Sequence, residues 1–162
     1  DKLANATSQI VAILGITTDS SANTDTADGG ALKSILDVIE IEKQWVALAT
    51  ITITKISGAD TDGEAASGNS AAGTNVVYFN TNNLTGDDEY IENGKITYFK
   101  IEGTPTLTAT DGESLKISVK NLDDGANDNA GIEYKSDGSV NNAMVTALRL
   151  WVSRVDGQTI SE

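Results

Sequence analysis

The chain has 162 residues, enough for one domain or a domain with an arm, and a formal charge of −13 from 24 acidic and 11 basic residues. A field of that sign repels nucleic acid and anionic membranes, and no apolar run reaches the ~20 residues of a membrane-spanning helix, so neither nucleic acid nor membrane insertion is expected. With no cysteine and no histidine, the chain has no disulfides, no thiolate metal sites, no cysteine catalysis and no imidazole base.

Residues 1–30 read as an apolar arm followed by a tether. Leu3, Ala6 or Thr7, Ile10 and Leu14 suit one face of a helix, but Ile10 to Leu14 is also a compact apolar run of the kind found in strands. Periodicity leaves both open. Thr17 to Gly30 is then polar and small. Ile10, Val11, Ile13 and Leu14 are expected to pack on their own domain or, as an assembly arm, to add as a strand to a neighbouring subunit.

Residues 31–162 read as a helix plus a β-sandwich domain. In 31–44, Leu32, Ile35, Leu36 and Ile39 follow the i, i+3, i+4, i+7 spacing of an amphipathic helix, with Asp28 as a capping residue. Trp45 to Ile56 follows directly and carries the strongest β-propensity in the chain. Ile51 and Ile53 alternate there with Thr50, Thr52 and Thr54. This segment is expected to be a central strand, with 143–155 as its equal. Trp45 and Trp151, one in each, are expected in the core rather than as stacking platforms for sugar.

Ser57 to Asn75 holds no large apolar residue and reads as one long loop. Val76 to Phe79 reads as a short strand, and Asn80 to Glu89 as another loop. Three hairpins are then expected, at Asn93-Gly94, Asp111-Gly112 and Asp137-Gly138, where Gly supplies the positive φ of a tight turn. Leu115, Ile117 and Val119 alternate with polar residues and should all face inward. Pro105, the one proline, is expected at the start of a strand, where a missing N–H costs least. The sum is a mainly β fold: an antiparallel β-sandwich of jelly-roll or Ig-like type, with one amphipathic helix and an N-terminal arm.

The residues offer little catalytic chemistry. Without histidine only Ser-Lys catalysis remains, and no Ser-x-x-Lys opens a helix. No phosphate-binding glycine loop follows a strand, and the acids cluster in loops of a chain poor in aromatics. No enzyme is expected. Calcium is the one cofactor the sequence suggests, because Asp60, Asp62 and Glu64 alternate in one loop and Asp123, Asp124 and Asp128 gather in another. Neither loop has the spacing of an EF-hand. Asn5 and Asn83 each open an N-x-[ST] sequon, a glycosylation site only in a secreted protein.

The expected function is therefore a structural subunit that assembles with copies of itself into an extracellular filament, a surface layer or a virion shell. The alternative is an extracellular module for adhesion, binding a host or cell-surface glycan or acting through calcium.

Overall fold

The computed structural model describes residues 3, 7–18, 33–57, 63–69, 75–81, 84, 88–92, 94–107, 113–119, 131–136, 139–144, 148–150 and 156–161. They form twelve strands: β1 Gln9–Thr18, β2 Lys33–Trp45, β3 Ala47–Lys55, β4 Ala65–Asn69, β5 Val76–Asn80, β6 Tyr90–Glu92, β7 Ile96–Thr106, β8 Ser114–Val119, β9 Ile132–Ser136, β10 Ser139–Met144, β11 Leu148–Leu150 and β12 Asp156–Ser161. The order is β10-β9-β2-β5-β4-β3-β7-β1-β11, with β6 and β8 alongside β2, and β12 alongside β8. The fold is mainly β, antiparallel and nearly closed, like a barrel.

Two long strands organise it. β7 lies between β1 and β3, paired from Gly103 to Ile96 on one edge and from Thr106 to Phe99 on the other. Its alternation is strict: Thr97, Phe99, Ile101, Gly103 and Pro105 are buried, and the residues between them are not. β2 serves two partners on each edge. β6 and then β5 line one side, while β9 and then β8 line the other. The segment β2–β3 is nearly continuous: it bends at Val46 and passes from the β2 half to the β7 half. β4 joins the halves again, pairing with β3 through Ala65 to Ser67 and with β5 through Gly68 and Asn69.

The core runs between the halves. Leu36, Ile39, Ile41, Phe79, Ile91, Leu115 and Ile132 come from the β2 side, and Ile16, Ile53, Phe99 and Ile101 from the β7 side, all inaccessible to water. At ~25 cal/mol per Å2 of apolar area removed from water, burial of this kind dominates the stability. Gly68 is fixed by that packing. A Cβ there would stand 2.7 Å from Phe79 Cε1, 2.7 Å from Val77 Cγ1 and 2.8 Å from Ile51 Cγ2.

Several expectations are corrected. The helix expected over 31–44 is the strand β2. One extra residue bulges the β2–β9 ladder between Leu36 and Val38, which shifts the phase of the alternation. Leu36 and Ile39, three apart, are then both buried, and the spacing imitates a helix. Trp45 is not in the core: it is 63% exposed. It has φ 71, which carries its indole away from the interior where its ladder partner Leu115 lies. The loop expected over 57–75 contains β4. At Asn93-Gly94 the expected positive φ is present at Gly94 (φ 78), but no hairpin ladder forms across it. Lys95 N–H donates to the Glu92 carbonyl at 3.2 Å, yet β6 pairs with β2 and not with β7. Likewise β8 pairs with β2 and β12 rather than with β7, and Asp111-Gly112 lies outside the described residues. Pro105 lies near the end of β7, beyond the last residue that β1 pairs, where among the described residues β3 alone flanks it. The long strand expected at 143–155 divides, with β10 on β9 and β11 on β1.

Other expectations hold. β9 and β10 pair as a hairpin around residues 137–138. Leu115, Ile117 and Val119 all point inward.

Candidate functional site

The residues expected to form an assembly arm lie on β1, antiparallel to β7 of the same chain. Here too a bulge, between Ile10 and Ala12, breaks the alternation. Val11, Leu14 and Ile16 are buried in the core, whereas Ile10 and Ile13 stand more than half exposed on the outer face. The register sets Ile13 beside Lys100 and Gly15 beside Tyr98. The Tyr98 ring lies over Gly15, where a Cβ would come within 3.0 Å of its Cε1. Ile56 N–H donates to the Tyr98 carbonyl at 2.8 Å, which brings a third exposed apolar side chain alongside. The centre of this face carries the Lys100–Glu102 ion pair at 2.8 Å. The outer face of the β7 half thus mixes Ile10, Ile13, Ile56 and Tyr98 with one ion pair.

Of the calcium residues, only Glu64 is described. It is exposed, and its backbone N–H donates to Asp88 Oδ2 at 3.2 Å. Asp60, Asp62, Asp123, Asp124 and Asp128 lie outside the described residues, as do the sequon residues Asn5 and Asn83 and the indole of Trp151. No group of three metal-ligating side chains occurs among the described residues. No helix among them is long and apolar enough to cross a membrane.

The sequence pointed to none of the charge buried inside. Lys55 is the last residue of β3, in phase with Ile51 and Ile53, and it is buried with 1% of its surface exposed. Asp88 is buried completely, with 0% exposed. Each of them is engaged by polar or electrostatic contacts. Thr81 is buried nearby in the chain path, just after β5, and its Oγ1 has no hydrogen-bond partner among the described residues. The signal that could have revealed Lys55 is its parity. In TITITK the lysine falls on the isoleucine phase, not the threonine phase.

The exposed Trp45 is the other feature that sequence reasoning misplaced. A bulky residue at positive φ is a backbone outlier costing on the order of 1–3 kcal/mol, kept only where surrounding structure imposes it. Here the imposing structure is the bend between β2 and β3, which turns the indole out to solvent.

Comparisons with protein-family models, with curated proteins and with solved structures found no match to this chain.

Proposed function

We propose that the chain is a non-enzymatic structural subunit that assembles with its own copies into an extracellular filament, surface layer or virion shell by exchange of β1. The observation that carries this reading is the seat of β1. It is a strand added to the edge of β7, with Val11, Leu14 and Ile16 as plugs in the core. Fourteen residues (19–32), small or polar as far as Gly30, separate it from β2 in the sequence. Every contact that β1 makes within its own chain can be made by the β1 of a neighbour, and such exchange is a low-cost route to assembly. The finer fold, a jelly-roll or Ig-like sandwich, belongs to the same proposal and is supported by the two halves and the segments that cross between them.

The absence of cysteine makes the test direct. Ile13 and Lys100 are ladder partners, so cysteines at both fall within the 4.4–6.8 Å Cα separation of a disulfide. In the Ile13→Cys/Lys100→Cys double variant, oxidised under conditions of assembly, a ladder of covalent multimers on a non-reducing gel is the expected outcome. A product that is all monomer, cross-linked within itself, defeats the exchange.

One observation favours a second reading, an extracellular binding module. The outward indole of Trp45 is an aromatic surface of the kind that sugar rings stack on. Such a module would use the acidic loops around Asp60 and Asp123 for calcium. It predicts that Trp45→Ala abolishes glycan-array binding and that millimolar calcium raises the melting temperature. Flat responses in both assays leave the assembly reading alone.

A further inference from the structure

We propose that Lys55 and Asp88 are the two ends of an intramolecular amide bond, formed by the protein on itself, that ties the β7 half to the β2 half. The geometry begins with the β3–β4 register. Thr52, Ile53 and Thr54 face Ser67, Ala66 and Ala65, so one step further Lys55 lies level with Glu64. Cα atoms of facing antiparallel residues are about 4.5–5.5 Å apart. The Asp88 carboxylate approaches this end of the pair, because its Oδ2 accepts the Glu64 N–H at 3.2 Å. The four-carbon stem of a lysine spans the remaining gap with ease. Both side chains are cut off from water. The phase of β3 aims Lys55 inward beside Ile53, with Phe99 as its ladder partner on β7. The chain thus brings a buried primary amine and a buried carboxyl group to the same end of the β3–β4 pair.

The reaction starts from the neutral form of the pair, in which neither charge is held in low dielectric. One proton passes from Nζ to the carboxylate, leaving an amine and a carboxylic acid. The Nζ lone pair then attacks Cγ, the Nζ–Cγ bond forms, and the Cγ–OH bond breaks. The hydroxyl leaves with the second Nζ proton as water. No oxidant, cofactor or other reactant is consumed. Fixed proximity replaces a high concentration of reactants, with effective molarities of about 10⁵–10⁸ M for well-oriented groups. Burial keeps water from reversing the step. The product links β3, a strand beside β7, to the segment leading into β6, a strand beside β2. It would serve as the cross-link that a chain without cysteine cannot make from sulfur.

The test is the intact mass of the purified full chain after complete denaturation. The expected result is the sequence mass less one water, with a tryptic map that yields a branched peptide joining the segments that carry Lys55 and Asp88. Lys55→Met and Asp88→Ala should each restore the full sequence mass and lower the thermal midpoint by about 10 °C, as loss of a native cross-link does. A wild-type chain at its full sequence mass overturns the proposal. So does a water loss that persists in either variant, because Asp-Gly sites such as Asp111-Gly112 can dehydrate on their own. If neither variant folds, the wild-type mass and the branched peptide decide the matter.

Discussion

β2 and β7 do the same work and look unlike each other in sequence. Each is long, flanked on both edges and central to its half of the molecule. β7 alternates without a fault from Ile96 to Thr106, so its inward residues announce a strand. β2 spells its core residues as Leu36, Val38, Ile39 and Ile41, because a bulge displaces the phase midway. A helix and a bulged strand then share the same apolar spacing. β1 repeats the lesson: Val11 and Leu14 are both buried across a bulge, and the same segment suited a helical face. In this protein a three-residue apolar step inside a β-branched run marks a bulge.

The sharpest way to break the equivalence of the two strands is to empty the core from each side. Phe99→Ala on β7 should cost about 3–5 kcal/mol and Ile41→Ala on β2 about 2–5 kcal/mol, both read from urea unfolding midpoints. If 31–44 were a peripheral helix, the β2 variant would be nearly silent while the β7 variant was not. A smaller effect tests the joint between the halves. Gly68→Ala should cost about 1–3 kcal/mol, because its methyl must displace Phe79, Val77 and Ile51 together. A variant as stable as the parent would mean that β4 does not lie over the core. The smallest effect sharpens the crossing from β2 to β3. At Trp45, Gly should be more stable than Ala by about 1 kcal/mol, because only Gly adopts φ 71 without strain. An equal or reversed order would show that the bend does not need that backbone. Because the indole is mostly exposed, these two variants differ mainly in the backbone.

How much of the candidate site was legible varies by residue. The apolar character of Ile10, Val11, Ile13 and Leu14 was plain, but not its division. Two of them point into the core and two to solvent, and only the bulge decides which. Trp45 was misplaced because large aromatics in strongly β segments usually face inward, and nothing local announces a positive φ at a tryptophan. Lys55 carried a weak signal in its parity. Asp88 carried none, since the group its carboxylate meets, the Glu64 N–H, lies 24 residues away in the chain.

Legible from the residues alone were the β-rich class, the exclusion of thiol and imidazole chemistry, the inward face of β8 and the β9–β10 hairpin. Each of these rests on composition or on the period-2 geometry of a single strand or a short turn, which neighbouring residues encode directly. Only the fold decided that Lys33–Trp45 is a strand, that β6 and β8 pair with β2 rather than with β7, and that Lys55 and Asp88 are buried. Those outcomes depend on which strands meet and on where one extra residue shifts a ladder. Partner choice is settled by the burial of both halves together, so no window of sequence contains it.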